Sequence, residues 1–311
     1  LNSIVIKQNE QKSIEILAAQ RLTYTQGKKL QTSEFFISVV LVVFFNLLSL
    51  VIQNFAEGYL TELNIFNAFV VSIALVVSEA VLNPNISKRK EKAAKLQELF
   101  DCYVLGIDHN SIKTGVLPDY ESINSLYKKF ISNKGDINLL QDWYSKDVEN
   151  VPLEYGRIIC QRSNFWWDVT LRLKYRQIVI ISAIFLLLFL LSVTSLVGLT
   201  FNSFLINVLM PFLPALILVI RRVNQNSQAI ISKKYLKEKV EEVWEDIFVN
   251  IKSDSELYDI ARELQNEIFE NRKTNTLIPE FIYMKMRSDQ EEDMGYSVNK
   301  MVDEFHERYS N

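Results

Sequence analysis

Two cysteines and two histidines in 311 residues leave little material for several common chemistries. Cys102 and Cys160 have no Cys or His neighbour in sequence, and no C-x-x-C or H-E-x-x-H is present. His109 follows Asp108 in "CYVLGIDHN", but His306 is the only other histidine, too few for a metal cage. That stretch reads as a loop with an Asx turn. There is also no P-loop, no G-x-G-x-x-G and no G-x-S-x-G. The expectation is a protein that is no enzyme and needs neither metal nor cofactor. No segment alternates with period two, so no sheet is expected. Internal repeats, low-complexity tracts and long heptad runs are missing as well.

Charge is absent where it matters most. The net charge of −3 and a mean hydropathy of +0.06 would suit a soluble protein. That average hides four apolar runs, 35–53, 63–82, 178–200 and 204–220. Each matches the roughly 17–25 residues a helix needs to cross a bilayer. The first, third and fourth carry no charge, and the second carries only Glu79. "FFISVVLVVFFNLLSLVI" shows no polar stripe of the kind that soluble core helices keep. Lys and Arg are absent from the connectors 54–62 and 201–203. They cluster instead as "KK" at 28–29, "SKRKEKAAK" at 87–95, "RLKYR" at 172–176 and "RR" at 221–222. The positive-inside rule then puts both termini and the central segment in the cytoplasm. No cleavable signal peptide is visible, since the first 33 residues are polar.

The fold class expected is an all-α membrane protein. Four transmembrane helices form two hairpins, with a mainly helical cytoplasmic domain built from the central segment and the C-terminal tail. The divisions are an N-terminal helix (1–33), hairpin 1 (34–82), a central segment (83–177), hairpin 2 (178–220) and a tail (221–311). Helical stripes mark the cytoplasmic core. They are Ile14, Leu17 and Ala18; Ala94, Leu96, Leu99, Phe100, Tyr103 and Val104; Ile231, Leu236, Val240, Val243, Ile247 and Ile251; and Leu257, Ile260, Ala261, Leu264 and Ile268. Pro84 and Asn85 are expected to break the second span. A short helix is expected within 137–152.

The most informative stretch is "RIICQRSNFWWDVTLRLKYRQ", 157–177. Residues three and four apart share a helix face. Arg157, Gln161, Asn164, Asp168, Arg172 and Tyr175 therefore make one polar stripe, with Asp168 and Arg172 able to pair. Two readings stay open. One is a salt-bridged helix in a bundle, with the tryptophans as core. The other is a face for an anionic, base-containing ligand. Arg157, Arg162 and Arg172 would hold phosphates through bidentate hydrogen bonds. Trp166, Trp167 and Tyr175 would stack on bases, beside Asn164 and Asp168. The tryptophans precede Ile178 by 11 to 12 residues, roughly 17 Å along a helix, which is too far for a headgroup belt. In the second span, Asn64, Asn67, Ser72 and Glu79 fall on approximately one face. They are candidates for lining a pore, although Glu79 is near enough to the boundary to snorkel. Pro211 and Pro214 should bend the fourth span.

The order of these blocks carries a resemblance. "IEILAAQRLTY", a hairpin, "LQELFDCYVLGIDHN", "WY" at 143–144, "ICQRSNFWWD", a second hairpin and "IPEFIYMKMRSDQEEDM" span nearly the whole chain. Together they resemble the four-transmembrane effectors associated with SMODS-type nucleotidyltransferases. The "ICQRSNFWWD" block is the most specific part, and His109 stands where an aromatic is expected. The resemblance implies a bacterial inner-membrane effector of anti-phage signalling. Its regulatory ligand would be a cyclic di- or oligonucleotide made by a partner nucleotidyltransferase. Binding in the cytoplasmic domain would open a pore or disrupt the membrane, in a homo-oligomer with no direct nucleic-acid binding. The alternative from another class is a membrane-anchored scaffold that recruits a cytoplasmic partner without forming a pore.

Overall fold

The computed structural model of the chain describes residues 2–53, 59–197, 200–250 and 252–309. Among them every regular element is helical. In order these are α1 (Ile4–Gln8), α2 (Gln11–Phe35), α3 (Val42–Gln53), α4 (Leu60–Val76), α5 (Asn83–Leu105), α6 (Ser111–Thr114), α7 (Tyr120–Ser132), α8 (Leu153–Val197), α9 (Phe201–Phe204), α10 (Met210–Val249), α11 (Asp254–Thr274) and α12 (Glu280–Tyr309). π-helical turns at Phe36–Leu41, Val77–Leu82 and Leu205–Leu209 interrupt the α pattern.

Three helical stretches among the described residues are long and apolar enough to cross a membrane, Gln11–Ser49, Glu62–Leu105 and Leu153–Leu196. They overlap the first three expected spans, 35–53, 63–82 and 178–200. The fourth run lies in α9, the following π turn and α10, and several of its side chains, like Ile251 and most of the 54–62 connector, lie outside the described residues.

The chain divides into two compact units. The first comprises Leu1–Gln26, Lys88–Leu173 and Gln228–Asn311. Its core takes Ile14, Ile16, Leu17 and Leu22 from α2, and Leu96, Phe100 and Val104 from α5. Ile158, Ile159 and Phe165 come from α8, Val240 and Ile247 from α10, Leu257 and Ile268 from α11, and Val302 and Phe305 from α12. The N-terminal arm is thus a full contributor to this core. Most stripes face inward as their spacing requires, with one exception. Ile231 is 70% exposed and Ile230 is buried in its place. The five-residue step from Ile231 to Leu236 is out of helical register, whereas Ile230, Lys233, Leu236 and Val240 keep steps of three and four.

Two other expectations change. Pro84 does not break the chain, because α5 follows directly on the π turn Val77–Leu82. A wider turn ahead of a proline relieves the clash of its ring with the carbonyl four residues back. Residues 137–152 hold two short 3₁₀ turns, Asn138–Leu140 and Lys146–Asn150, instead of an α-helix. Between them Trp143 and Tyr144 pack on Phe100, with Tyr144 stacked at 6.2 Å and Trp143 edge-on at 6.1 Å. The capping signals behave as their chemistry dictates. Asn110 and Asp119 cap α6 and α7, and Ser253 with Glu256 forms a capping box on α11.

The second unit comprises Gly27–Ser87 and Lys174–Ser227. Its outward side is apolar, with Phe44, Phe69, Phe185 and Leu188 exposed. Inside it, Leu190, Val208 and Phe212 form one cluster, and Val39, Ala215 and Leu218 another.

Phe100 is the pivot of the first core. Phe100→Ala should destabilise that unit by about 3–5 kcal/mol. All four tryptophans, Trp143, Trp166, Trp167 and Trp244, belong to it, so their fluorescence during denaturant unfolding in detergent reads this loss directly.

Candidate functional site

The polar stripe of α8 faces the interior of the first unit. At its start Arg157 Nε donates to the Leu105 carbonyl at 2.7 Å and Nη2 to the Gly106 carbonyl at 2.9 Å. Carbonyls at a helix end lack intrahelical donors, and this guanidinium supplies them at the end of α5. Gly106, at φ 62°, makes the left-handed turn that aims its carbonyl there. One turn on, Gln161 Nε2 donates to the Ala261 carbonyl at 2.7 Å and to Gln265 at 3.2 Å. Asn164 Oδ1 accepts from Arg272 at 3.2 Å. Asp168 pairs with Arg172 at 2.5 Å and Lys233 at 2.7 Å, and Arg172 also donates to the Thr276 carbonyl at 3.1 Å.

Two carboxylates that the sequence did not single out complete the cluster. Glu98 and Asp101 on α5 are both 0% exposed. Glu98 accepts from Arg262 and from Gln265, each at 2.8 Å. Asp101 accepts from the Tyr144 hydroxyl at 2.8 Å, from Gln265 at 3.0 Å and from Arg272. The one clue in the sequence is that both acids sit in the largely apolar stretch "LQELFDCYVL", on faces that α5 buries.

The ion pairing of this cluster is its distinguishing property. Among the described residues, Glu98, Asp101 and Asp168 pair with Arg172, Lys233, Arg262 and Arg272. Ions out of water are costly unless matched. Burial, together with nearby Arg172 and Arg272, pushes the Lys233 ammonium down from 10.5 to about 8 against the pull of Asp168. Arg272, by contrast, is raised, since Asp101 outweighs the cost of its burial.

The remaining candidates are dispersed. Arg162 lies off the stripe, held by Glu241 at 2.8 Å and by Ser297. Burial alone would raise the Glu241 carboxyl, but Lys237 and Arg162 lower it. Trp166 and Trp167 are half-buried in the first unit, with Trp167 6.3 Å from the Tyr283 ring. Tyr175 is buried and belongs to the second unit. Of the proposed pore residues, Asn67 is buried, while Asn64, Ser72 and Glu79 are exposed on that unit. Glu79 pairs with Arg221. No group of three or more His, Cys, Asp or Glu among the described residues is placed to hold a metal ion.

A second polar centre, also missed in the sequence, lies in the second unit. Glu34 is 0% exposed and is gripped by Arg221 at 2.8 Å and by Arg222. Ser78 donates to it at 3.0 Å, and Arg222 also donates to Gln31 at 2.9 Å.

A family model described as the SMODS-associating 4TM effector domain matches residues 2–301, which takes in both units and both polar centres. The chain belongs to this family. It is 26% identical over 298 residues to a probable CBASS effector molecule of Bacillus cereus (strain VD146), covering 93% of this chain and 94% of the relative. No solved structure matches it. The 4TM effector family is one of anti-phage defence, and the expected kinship is therefore established.

The burial of Lys233 has a measurable consequence. With a folded pKa near 8 and an ordinary value of 10.5, Lys233 keeps its proton longer in the unfolded chain. Stability of the first unit should therefore rise between about pH 8 and 10.5, by at most about 1.4 kcal/mol per pH unit. Lys233→Met should lose that rise when tryptophan-detected unfolding is compared at pH 7, 8.5 and 10.

Proposed function

We propose that this protein is a membrane effector of anti-phage defence, switched by a cyclic nucleotide that binds in its first unit. The switched form opens a pore or disrupts the bacterial inner membrane, killing or arresting the infected cell. In this reading the chain crosses the membrane four times with both termini cytoplasmic. It assembles as a homo-oligomer, and a partner nucleotidyltransferase supplies the ligand.

The observation that carries the proposal is the cluster of buried cations against α8, Arg172, Lys233 and Arg272, within a chain of the 4TM effector family. A nucleotide phosphate is the natural counter-charge for such a cluster, and guanidinium groups suit it. Arg172, Lys233 and Arg272 are the phosphate contacts proposed, with Asn164 beside them. Trp166 and Trp167 remain the residues for base stacking. Arg157 is a weaker candidate, because its guanidinium already closes the end of α5. Arg162 is likewise committed to Glu241.

The mechanism is a shift of population. A ligand moves a two-state protein only as far as its affinities for the two states differ. A phosphate bound by these cations favours whichever packing of α8, α10 and α11 admits it. Both α8 and α10 contribute residues to the membrane-type unit as well.

Liposomes holding the purified protein, challenged with a panel of cyclic di- and trinucleotides, test this. One nucleotide should trigger dye or ion release, and Lys233→Met and Arg272→Met should need at least tenfold more of it. Release without any ligand, suppressed by one nucleotide, would reverse the sign of the switch. No release from inserted, folded protein would favour the scaffold.

A further inference from the structure

The first membrane helix hides a polar face. Glu34, Ser38, Val42, Asn46 and Ser49 follow one another at steps of four, four, four and three. All five are buried inside the second unit, with Ser38 at 3%, Asn46 at 1% and Ser49 at 4% exposure. Gln31 extends the row by one more turn and is buried too. The opposite side shows Phe36, Val40, Phe44 and Leu48, each exposed and each four residues from the last. This corrects the impression from the sequence that the segment has no stripe. The stripe exists, but its polar side points in and its apolar side out.

Polar groups between membrane helices ordinarily act as glue, or bond back to their own helix. Ser72, Ser192 and Thr194 do the latter, each donating to the carbonyl four residues earlier at 2.7 to 2.8 Å. Asn46 does so with its amide nitrogen alone. Ser38 Oγ, Asn46 Oδ1 and Ser49 Oγ have no hydrogen-bond partner among the described residues. Three such atoms on one face, in a lipid-facing unit, are costly unless that face meets water in some state of the protein. The Glu34 end of the row is held shut by Arg221, Arg222 and Ser78.

We propose that this face of the first membrane helix, Ser38, Asn46 and Ser49, lines the aqueous ion path, and that the Glu34–Arg221–Arg222 pairing closes one end of it. The assignment rests on the pore reading above and moves the lining from the second membrane helix to the first. Its middle is uncharged, so the path discriminates little between small cations and anions. Breaking the Glu34 pairing opens it.

The test uses full-length protein in liposomes. Ser38→Cys, Asn46→Cys and Ser49→Cys are treated with a membrane-impermeant methanethiosulfonate, with Phe44→Cys and Ser72→Cys alongside. The native cysteines are buried, and wild type controls for them. Once release is triggered, the reagent should cut flux at least fivefold at the three lining positions and leave Phe44→Cys and Ser72→Cys unaffected. Asn46→Asp should shift the reversal potential toward cation selectivity. Glu34→Gln should raise flux at least tenfold without ligand. Flux blocked at Ser72→Cys but not at Asn46→Cys or Ser49→Cys would overturn the assignment while leaving the pore intact. An Asn46→Asp channel of unchanged selectivity would do the same. Wild-type protein that is inserted yet never conducts would remove the pore reading and this one with it.

Discussion

A charge withdrawn from water must be met by an opposite charge or a dipole, and for Glu34, Glu98 and Asp101 the answer comes from a distant helix. Glu98 and Asp101 on α5 are met by Arg262 and Arg272 on α11, more than 160 residues away. Asp168 on α8 is met from α10 by Lys233, and Glu34 is met by Arg221 and Arg222 near the start of the same long helix. Removing one member of such a pair strands the other, which is why buried pairs fix a packing even where they add little net stability. The helices of each unit are thus tied by ions as well as by the apolar core.

The two units distribute their side chains differently. The first has apolar residues inside, with its most buried ions gathered around α5, α8 and α11. The second leaves phenylalanine and leucine exposed and turns its scarce polar groups inward, as a segment able to cross a membrane would. In both, the inward polar groups are imperfectly matched. Among the described residues, the first buries Gln161 Oε1 and Gln290 Oε1 without partners, and the second Ser38 Oγ, Asn46 Oδ1 and Ser49 Oγ. Imperfect matching of this kind is a departure from the packing that stability alone would select, and such departures concentrate at functional sites.

Much of this was legible in local spacing. The stripe from Arg157 to Arg172 was readable because i, i+3 and i, i+4 neighbours share a face whatever surrounds them. The apolar stripes of α5 and α11 and the caps at Asn110, Asp119 and Ser253 follow from equally local rules. Where spacing faltered, the reading faltered with it. Ile231 broke register and gave way to Ile230. Pro84 looked like a break because nothing local announces a π turn. Trp143 and Tyr144 lie between 3₁₀ turns because their rings pack on Phe100, a contact across more than forty residues.

The helical class, the long apolar segments, the family and the polar face of α8 were all fixed before any folding was known. These depend on composition, on short periods and on the order of motifs along the chain. Only the tertiary structure decided which charges meet. It brought Glu98, Asp101 and Lys233 into the α8 network, where no sequence interval links them. It also turned Ser38, Asn46 and Ser49 inward. The periodicity of a helix says which residues share a face, and packing against other helices says whether that face meets protein, water or lipid.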